Sequence, residues 1–557
     1  MPTRNIQLLR SRIGKICIAI TGANPSELFQ KATNALQDSN FLEFRLDYLT
    51  DPASALPTLK TFLADHPTAT AIATCRRSSD GGRFEGKLLQ ELDILIQAAA
   101  AGCRIVDLPL QSAEALPPEA LVRLRQTGAA ILLSYHDFAL TKDLEQVAQR
   151  AQHFEPDFIK IVPTAKHLSD NLLLIRFLEK MADSTNIVGI CMGDAGIISR
   201  VLGVRAGSAF TFAAASEGDE TAPGQISARA LLDTYRIDQV DAATKVYGVA
   251  GNPVLHSLSP IMLNTAFRRE TINAVYLALQ TGKIQDLLKL VQEIPLQGFS
   301  VTMPLKTEIL PFLEHTDPLT AKIGACNTVL RAQGGKLYGF NTDVVGIIRP
   351  LEKRLTSLKG VRTLVIGAGG VARAAVFGLR DKGAEVQILN RTPETAQKLA
   401  RQAGAKVVKR EQLFKSEFDI VINATPVGMV GTKTVSPLTA EELRTKFVFD
   451  LVYSPLETPL LRLARQKDIT VIAGIEMFVQ QGARQFEIWT GKPAPEEEML
   501  RVVLHSLRQQ ATASVALNIE SATIGARSAV SEKLKKSTTT EAPAETLVGR
   551  SKRKQAS

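Results

Sequence analysis

The stretch from residue 363 to residue 392, TLVIGAGGVARAAVFGLRDKGAEVQILNRT, constrains the fold of this chain more than any other. It begins with the apolar run Thr363–Ile366, which lacks the polar alternation of a half-exposed strand and so predicts a strand buried on both faces. Gly367, Gly369 and Ala372 follow at the G-x-G-x-x-A spacing that brings a helix N-terminus close to a pyrophosphate. The stretch therefore predicts a strand, a glycine turn, a helix and a second strand, which together form a dinucleotide-binding unit.

The end of the second strand indicates which dinucleotide is bound. An acidic residue there would bind the ribose hydroxyl of NAD and repel a 2′-phosphate. This chain has Asn390, Arg391 and Thr392, and a guanidinium pairs with phosphate while amide and hydroxyl groups add hydrogen bonds. The alternative is an ordinary crossover with a surface arginine. We expect NADP, held by Gly367, Ala368, Gly369, Gly370, Val371, Ala372, Asn390, Arg391, Thr392 and Gly474.

At 557 residues the chain is too long for a single hydrophobic core, so we expect at least two domains. No apolar run approaches the roughly 18 residues that cross a membrane, which predicts no membrane partner. The five cysteines are odd in number and lack metal-ligand spacing. They predict buried, reduced thiols, a cytoplasmic location without export, and no bound metal.

The net charge of +10 raises the question of a nucleic-acid partner. Much of this charge lies in Ala511–Ser557, which has eight Lys/Arg against four Asp/Glu and few large apolar residues. Such a composition predicts a disordered tail. Its basic end could touch RNA or an acidic partner, but such ends are usually only solvated, so nucleic acid is not among the expected partners.

The first half of the chain alternates between apolar, strand-like runs and amphipathic, helical stretches. Eight such units within about 230 residues suit a closed (β/α)₈ barrel, in which chemistry gathers at the C-terminal ends of the strands. The strand-like runs are Lys15–Thr21, Phe41–Leu46, Ala69–Cys75, Arg104–Leu108, Ala130–His136, Phe158–Val162, Ile187–Met192 and Ser208–Ala213.

Polar side chains of this half fall where the barrel strands are predicted to end. Three arginines at one mouth imply an anionic substrate, such as a carboxylate held by a guanidinium fork. The polar positions are Glu43 and Arg45 after strand two, Arg76 after three, His136 after five, Lys160 on six, Arg200 after seven and Gln225 after eight.

Lys160 places an amine inside the otherwise apolar run Phe158–Val162. Burial disfavours the ammonium form, and a neutral lysine amine is a nucleophile that forms a Schiff base with a carbonyl compound. His136, predicted on the neighbouring strand, titrates near neutrality and can move a proton from carbon to a leaving hydroxyl. The alternative is a snorkelling or salt-bridged lysine.

Five segments of this half resemble the type I 3-dehydroquinate dehydratase family in order and spacing. They are EFRLD at 43–47, SYHDF at 134–138, FIKI at 158–161, ICMGDAGIISR at 190–200 and APGQIS at 222–227. The resemblance implies that Lys160 forms an imine with the substrate ketone and that His136 is the acid and base for elimination of water. It also implies that Asp80, which stands where the family has a glutamate, supports His136 and raises its pKa. The implied substrate-binding residues are Glu43, Arg45, Arg76, Arg200, Gln225 and Thr221, the last standing where a serine is usual.

The second half opens, after a polar joint at Arg236–Thr244, with the segment KVYGVAGNPVLHSLSP. Ser257 and Ser259 are predicted on the same side of an extended chain, where two hydroxyls could grip a carboxylate. The alternative is a Ser-Pro turn before a helix. Lys306 and Asp343 would form a proton-donating couple beside a carbonyl oxygen that becomes an alkoxide as hydride arrives, and a surface salt bridge is the alternative.

The stretch from Lys245 to Leu507 resembles NADP-dependent shikimate dehydrogenase. The matching segments are GNPVLHSLSP, VTMPLK, GACNTV, GFNTD, GAGGVARA, NRT, NATPVGM, DLVYSPLETPLL and GIEMFVQQGARQFEIWTG. The resemblance implies catalysis by Lys306 and Asp343. One departure is Thr395, where the family often has an arginine, so we expect NADP selectivity to rest on Arg391. The implied substrate-binding residues are Ser257, Ser259, Thr302, Asn327, Thr342, Gln481 and Tyr453, the last also near the nicotinamide.

The order of the halves is similar to that of the bifunctional enzyme of plants, which joins adjacent steps of the shikimate pathway of aromatic amino-acid biosynthesis. Dehydration of 3-dehydroquinate gives 3-dehydroshikimate, whose ketone NADPH reduces to shikimate. The expected fold class is α/β, with an N-terminal (β/α)₈ TIM barrel followed by a two-lobed dehydrogenase that contains a Rossmann NADP-binding lobe. The expected domains are a barrel at 1–238, a substrate lobe at 245–345 completed by 474–508, an NADP lobe at 346–473 and a disordered basic tail at 511–557.

Other functions fit the bare motifs. An imine lysine and a polyol dehydrogenase would also suit a class I aldolase joined to a quinate dehydrogenase. A non-catalytic regulator that senses quinate or shikimate, or a binding module without turnover, would be expected to have lost catalytic residues. Lys160, His136, Lys306 and Asp343 are all present. We therefore expect an enzyme whose partners are the small molecules 3-dehydroquinate, 3-dehydroshikimate and shikimate.

Overall fold

The computed structural model of the protein describes residues 9–182 and 186–512. The described residues up to Val503 belong to one compact unit, and a second unit begins at Leu504. The basic tail predicted at 511–557 lies, from residue 513 onward, outside the described residues. Among the residues that are described, no helix is both long enough and apolar enough to cross a membrane.

Eight parallel strands form the first sheet: β1 (Ile16–Ile20), β2 (Phe41–Arg45), β3 (Thr70–Thr74), β4 (Ile105–Pro109), β5 (Ala130–His136), β6 (Phe158–Val162), β7 (Ile187–Gly189) and β8 (Thr211–Ala214). Their spatial order is β7-β6-β5-β4-β3-β2-β1-β8. The backbone N–H of Ala209 donates to the carbonyl of Ile187 over 2.8 Å and so links the two ends of that order. The predicted (β/α)₈ architecture is confirmed.

The helices between and after these strands are Pro25–Ala35, Leu56–Asp65, Leu88–Ala100, Leu110–Ala115, Pro118–Arg125, Leu144–Gln152, Asn171–Met181, Ser199–Arg205 and Ala228–Asp233.

Strand alternation explains how charged residues enter the barrel. On β6, Phe158 belongs to the apolar cluster inside the barrel, whereas Ile159 belongs to the layer between strands and helices. Because successive side chains of a strand point to opposite faces, Lys160 returns to the interior. The same alternation turns Glu43 of β2 and Asp107 of β4 inward. The barrel therefore holds a charged layer next to an apolar one.

The structure corrects the position of three polar residues relative to their strands. Glu43 and Arg45 lie within β2 rather than after it, and His136 is the last residue of β5. The run predicted to reach Met192 is also too long, since β7 ends at Gly189 although Met192 is buried. An apolar run indicates which residues are buried, and residues can stay buried after the last hydrogen-bonded pair of a strand. The run therefore predicted a strand longer than β7.

A mixed sheet follows, with β9 (Lys245–Gly251), β10 (Ala274–Gln280), β11 (Leu296–Val301), β12 (His315–Thr316), β13 (Thr328–Arg331) and β14 (Leu337–Phe340). The spatial order is β10-β9-β11-β13-β14-β12, and β13 runs antiparallel to both of its neighbours. Because β9 and β11 are adjacent and parallel, the residues that follow them meet at one edge of the sheet. The helices of this part are Ser259–Arg269, Ile284–Glu293 and Pro318–Ile323.

The third sheet is parallel throughout and contains β15 (Arg362–Ile366), β16 (Glu385–Leu389), β17 (Lys406–Val407), β18 (Phe418–Asn423), β19 (Thr445–Asp450) and β20 (Thr470–Ile472). In the order β17-β16-β15-β18-β19-β20 the direction of winding reverses beside β15. Open α/β sheets bind ligands at such a switch point. The predicted Rossmann lobe is confirmed, and its helices are Gly370–Asp381, Pro393–Ala403 and Pro459–Gln466.

Two helices, Asp343–Glu352 and Gly474–Thr490, join the mixed sheet to the third sheet. A Cβ on Gly346 would lie 2.7 Å from the carbonyl oxygen of Met477, so only glycine allows the helices to approach this closely. Trp489 Nε1, on the second helix, donates to a β13 carbonyl over 3.0 Å. The chain therefore returns to the mixed sheet through this helix.

The barrel and the mixed sheet share one continuous cluster of buried apolar side chains. Asp286, in the second half of the chain, accepts backbone hydrogen bonds from Leu168 and Ser169 of the barrel over 3.0 and 2.9 Å. Arg205 Nε donates to the carbonyl of Thr244 over 3.0 Å. This contact is not predictable from the sequence, because no residue pattern links positions so far apart in the chain.

Candidate active sites

Lys160 lies in a buried charged cluster inside the barrel, with 6% of its surface exposed. Its Nζ donates to Asp107 Oδ2 over 3.0 Å and lies 3.7 Å from Glu43 Oε1. The same atom lies 3.8 Å from the ring centre of Phe212. The structure thus combines two interpretations that the sequence analysis treated as alternatives, since the lysine is salt-bridged and also lies within the barrel.

Asp107 is a site residue that sequence reasoning missed. Its Oδ1 accepts from Ser134 Oγ over 2.5 Å, and Arg76 Nη2 donates to Oδ1 and Oδ2 over 3.3 and 3.2 Å. Burial alone would raise the pKa of Asp107, but Lys160 and Arg76 outweigh it and hold the pKa well below its usual range. The available signal was an acidic residue inside the apolar run Arg104–Leu108.

His136 is neutral in this environment. Its Nε2 lies 3.2 Å from Arg76 Nη1. A guanidinium donates and does not accept, so Nε2 is the acceptor and the ring proton is on Nδ1. Burial lowers the pKa of His136 well below its ordinary value, and the adjacent Arg76 and Lys160 lower it further. The ring is therefore available as a base at neutral pH.

Asp80 does not contact His136. Its carboxylate pairs with Arg77 over 2.9 Å, and among the described residues it forms no bond to the imidazole. The net pKa of His136 is lowered, because burial and the cations Arg76 and Lys160 outweigh the opposing carboxylate of Asp107. The effect of Asp80 itself on this pKa stays a prediction.

Two predicted substrate ligands are engaged within the protein. Arg45 donates through Nε and Nη2 to both oxygens of Asp47, over 2.9 and 2.8 Å. Thr74 Oγ1 donates to Glu43 Oε1 over 2.7 Å. The bidentate partner Asp47, which lies in the EFRLD segment, was not recognised from the sequence.

The remaining barrel residues lie around the last two strands. Arg200 Nε donates to the carbonyl of Gly224 over 2.6 Å, and its Nη1 donates to the carbonyl of Phe212 over 3.1 Å. Burial lowers the pKa of Arg200 to about 10, and no carboxylate pairs with it in the described part of the chain. Gln225 Oε1 accepts from the N–H and the Oγ1 of Thr221 over 2.6 and 3.1 Å. Within the described residues, the guanidinium of Arg200 is therefore left without an anionic partner.

Lys306 and Asp343 form the predicted pair in the second half. The Lys306 Nζ lies 2.5 Å from Asp343 Oδ2, and their side chains are 16% and 5% exposed, which excludes a surface salt bridge. Asn327 Nδ2 donates to Asp343 Oδ1 over 2.7 Å and to Thr342 Oγ1 over 3.1 Å. A Cβ on Gly370 would lie 3.6 Å from Lys306 Cδ, so the Lys306 side chain adjoins the glycine turn of the Rossmann lobe.

Ser257 and Ser259 do not lie on an extended chain, and that expectation is wrong. Leu258 has φ −83° and ψ −1°, and Ser259 begins the helix Ser259–Arg269. The Ser259 N–H donates to Ser257 Oγ over 3.2 Å, which is the Ser-Pro turn that the sequence analysis gave as the alternative. Pro260 favours a helix start here because its preset φ suits the first turn of a helix.

The other predicted substrate ligands of this half lie on the returning helix or at the ends of strands. Tyr453 stacks on Phe478 with ring centres 4.5 Å apart, and burial raises its pKa. The buried Gln481 donates through Nε2 to the Phe478 carbonyl over 3.0 Å. Thr302 directly follows β11, and its N–H donates to the carbonyl of Ala250 over 2.9 Å.

The glycine turn fits a dinucleotide. Gly367 has φ +115°, a conformation that favours glycine, and a Cβ there would lie 3.0 Å from the Ala424 carbonyl oxygen. Gly369 precedes the helix Gly370–Asp381, and a Cβ on it would meet nothing within 4 Å. Open space before a helix N-terminus is the environment in which backbone N–H groups bind a pyrophosphate.

The surroundings of the turn agree with this fit. A Cβ on Gly474 would lie 2.4 Å from the Val452 carbonyl oxygen, so that position requires glycine. Asn390 Nδ2 donates to the Thr392 carbonyl over 3.0 Å. Arg391 is exposed and forms no ion pair within residues 9–182 and 186–512, so its charge is free to meet a phosphate.

Metal ligands are absent from the part of the chain that the structure describes, since no group of three or more His, Cys, Asp or Glu side chains there could hold an ion. All five cysteines are free and buried. Burial raises the pKa of Cys103 to about 12 and that of Cys191 to about 12, so these thiols stay protonated. The predicted buried, reduced cysteines agree with the structure.

The fold and the two sites define an enzyme with a lysine-centred (β/α)₈ barrel joined to a two-lobed NAD(P)-type dehydrogenase. Models of known families match the chain in the same order. A type I 3-dehydroquinase model matches residues 16–242, and a shikimate dehydrogenase substrate-binding model matches residues 249–329. A shikimate/quinate 5-dehydrogenase model matches residues 350–455, and a shikimate 5′-dehydrogenase C-terminal model matches residues 474–504.

Similar proteins cover both halves. The chain is 35% identical to the bifunctional 3-dehydroquinate dehydratase/shikimate dehydrogenase, chloroplastic, of Arabidopsis thaliana, over 82% of this chain and 79% of the relative. It is 42% identical to the NADP(+) shikimate dehydrogenase of Pyrococcus furiosus, over 49% of this chain and 99% of the relative. The solved structure of the dehydroquinate dehydratase and shikimate dehydrogenase of S. pombe AroM is 25% identical, with a TM-score of 0.41, and covers 90% of this chain and 100% of that one. The chain belongs to the family of bifunctional 3-dehydroquinate dehydratase/shikimate dehydrogenases.

Proposed function

We propose that this chain converts 3-dehydroquinate into shikimate in two steps, dehydration in the barrel and NADPH-dependent reduction in the second half. The observation that carries the proposal is that each half buries one lysine amine beside groups suited to its step. Lys160 lies within the charged cluster that also holds His136, and Lys306 lies 2.5 Å from Asp343. A non-catalytic regulator would have no use for two such buried pairs, whose desolvation costs stability.

In the barrel, the Lys160 amine attacks the ketone carbon of 3-dehydroquinate, and the ketone oxygen leaves as water to give a protonated imine. The imine accepts the electron pair released when His136 removes the adjacent carbon-bound proton. The low pKa of His136 makes its imidazolium form a strong acid, so the proton passes readily to the departing hydroxyl. Hydrolysis of the imine then frees 3-dehydroshikimate and restores Lys160.

The charge pattern of the barrel mouth supports binding of the substrate carboxylate by Arg200. This guanidinium is oriented by two backbone carbonyls and has no carboxylate partner in the described residues. In this proposal Gln225, Thr221 and Glu43 form hydrogen bonds with ring hydroxyls. Arg45 acts indirectly in this proposal, because Asp47 already occupies its guanidinium.

In the second half, NADPH supplies a hydride to the ketone carbon of 3-dehydroshikimate when it is bound. The Lys306 ammonium donates a proton to the oxygen of that ketone as negative charge develops there. Asp343 holds the ammonium, and Asn327 holds Asp343. Ser257, Ser259, Thr302, Thr342, Tyr453 and Gln481 are assigned to the carboxylate and hydroxyl groups of the substrate.

One assay tests the whole proposal. The purified chain should convert 3-dehydroquinate and NADPH into shikimate, with 3-dehydroshikimate as the transient product. Supplying 3-dehydroshikimate should bypass the barrel, and supplying 3-dehydroquinate without NADPH should stop at 3-dehydroshikimate. An enzyme that oxidised quinate but did not reduce 3-dehydroshikimate would support a quinate dehydrogenase instead.

Selectivity for NADPH over NADH should depend on Arg391. The Arg391→Ala variant loses a charge-assisted contact to the 2′-phosphate, so we expect its NADPH dissociation constant to rise roughly ten- to a hundredfold. Fluorescence titration with NADPH and NADH measures both constants. Arg401→Ala, which removes an exposed cation at the far end of the next helix, is the matched control and should change neither. If Arg391→Ala keeps the wild-type ratio, the phosphate is recognised elsewhere.

We also propose domain boundaries at 1–238 for the barrel, 245–345 with 474–508 for the substrate lobe, and 346–473 for the NADP lobe. Fragments 1–240 and 241–510 should each fold and keep their own activity, because each contains its own catalytic groups. Their thermal midpoints should be lower than that of the whole chain, since separation exposes apolar surface that the two halves bury together. An inactive fragment beside an active whole chain would contradict these boundaries.

We infer a cytoplasmic location for the protein. Five buried, free thiols suit a reducing compartment, which supports the inference. The Arabidopsis relative is named chloroplastic, so the compartment is decided by fractionation of the source cells.

A further inference from the structure

Among the described residues, Asp107 supplies the carboxylate that lies nearest to the Lys160 amine. Asp107 Oδ2 lies 3.0 Å from the Lys160 Nζ, whereas Glu43 Oε1 lies 3.7 Å away and accepts a hydrogen bond from Thr74. Asp107 is 1% exposed. Its carboxylate therefore faces the amine without intervening solvent.

Neighbouring groups hold Asp107 in place and keep it charged. Ser134 Oγ donates to Oδ1 over 2.5 Å, and Arg76 donates to both oxygens. Although burial favours the neutral acid, Lys160 and Arg76 hold the pKa of Asp107 well below its usual range. Asp107 is consequently an anion of defined orientation at neutral pH.

The chemistry proposed for Lys160 needs such an anion. The nitrogen is positive as an ammonium, gives up a proton to attack the ketone, and is positive again as the protonated imine that accepts electrons. A carboxylate at 3.0 Å favours both positive states, while Arg76 alone would disfavour them. The neutral imine is a poorer electron acceptor, so loss of the proton slows elimination.

We propose that Asp107 is a positioning residue for dehydration, the fixed counter-charge of the Lys160 nitrogen in its ammonium and protonated-imine states. This assignment rests on the Schiff-base function proposed above. Asp107 gains and loses no proton in the cycle, and the bonds that form and break are those of Lys160, His136 and the substrate. Asp107 also positions Arg76. It accepts a hydrogen bond from Arg76 Nη2, while Arg76 Nη1 donates to His136.

Other titratable groups surround Asp107 and Lys160, and the test must distinguish their effects on the pH profile from the effect of Asp107. They are Cys17 on β1, Glu43 and Arg45 on β2, Arg76 after β3 and His136 on β5. His136 governs the acidic side of the pH profile, because it must be neutral to act as a base. The counter-charge of Lys160 governs the alkaline side, where the imine loses its proton.

The decisive variant is Asp107→Asn, which keeps the shape and removes the charge. We expect the alkaline limb of the dehydration pH profile to move about one pH unit or more towards lower pH, and the turnover rate to fall roughly ten- to a hundredfold. Cyanoborohydride reduces protonated imines, so the pH at which trapping on Lys160 fails should move in the same direction. The matched control is Asp157→Asn, a half-buried carboxylate just before β6, which should leave the alkaline limb in place.

The possible outcomes distinguish failure of the role proposed for Asp107 from failure of the Schiff-base mechanism on which that role depends. If the wild-type protein shows no label on Lys160, the Schiff base itself is wrong. If wild type and Asp107→Asn are both labelled and the alkaline limb does not move, Asp107 is not the counter-charge. Thermal unfolding of Asp107→Asn beside the wild-type protein reports whether the variant barrel is folded. Should Asp107→Asn fail to fold, Ser134→Ala decides: it removes the shorter of the two hydrogen bonds that hold Oδ1 in place and should give a smaller shift in the same direction. No shift would overturn the assignment.

Discussion

Replacing Lys160 with methionine is expected to slow dehydration by at least about a thousandfold, because it removes the nucleophile on which every later step depends. Reduction of 3-dehydroshikimate by the same polypeptide should be unchanged. Treating the wild-type protein with borohydride and 3-dehydroquinate should add the mass of the reduced ligand to the peptide containing Lys160. Both activities are measured spectrophotometrically, and the label by mass spectrometry.

Stability must be separated from chemistry in this experiment. Lys160→Met leaves the buried Asp107 with one cation fewer, and breaking a buried ion pair costs roughly 3–5 kcal/mol. Thermal unfolding of the variant therefore accompanies the kinetics. Lys166→Met, an exposed lysine beyond the end of β6, is the matched control and should retain full activity and labelling. A label on Lys166 or on no residue would contradict the Schiff-base mechanism.

Replacing Lys306 with alanine is expected to slow the reduction of 3-dehydroshikimate roughly a hundred- to ten-thousandfold, the range typical of losing a positioned proton donor. Asp343→Asn should have a smaller effect, because it removes the charge that holds the ammonium while the ammonium itself remains. NADPH affinity should change little in Asp343→Asn, which lies on the helix that leaves the mixed sheet. Steady-state kinetics at saturating NADPH measures the rate of reduction in both variants, and fluorescence titration measures the NADPH affinity of Asp343→Asn.

The control for the Lys306 and Asp343 variants is Lys336→Ala, which breaks an exposed ion pair with Glu314 beside the same mixed sheet. Surface pairs of this kind contribute little, so the variant should reduce 3-dehydroshikimate normally. Dehydratase activity should also be intact in all three variants. If Lys306→Ala raised KM and left the turnover rate unchanged, Lys306 would bind substrate rather than donate the proton.

Much of the architecture was predictable from local patterns in the chain. The apolar run before Gly367 and the glycine spacing predicted β15, its turn and the helix that follows, and the structure confirms them. The alternation of apolar runs and amphipathic stretches predicted the barrel. These predictions succeeded because strand burial, turn conformation and helix starts depend on residues within a few positions of each other.

The residues to which we assign direct action on the substrate were also named from the sequence, since an amine or imidazole at a strand end is unusual enough to notice. Their partners were not found. Asp107 was not predicted as the partner of Lys160, and Asp47 was not predicted as the partner of Arg45. Asp80, which was expected to support His136, pairs with Arg77 in the structure. Whether a lysine in an apolar strand has a counter-charge is decided by strands two places away in the barrel.

The sequence by itself determined the order of the two halves, the parallel sheets, the dinucleotide turn and the residue types of both sites. Those features follow from hydrophobic periodicity, glycine conformation and side-chain chemistry, all of which are local. Only the tertiary structure decided that Asp107 faces Lys160, that His136 is neutral beside Arg76, and that Asp286 joins the second half to the barrel. The physical reason is that charge pairing and desolvation depend on distances of a few ångströms between residues that are distant in the chain, and folding alone sets those distances.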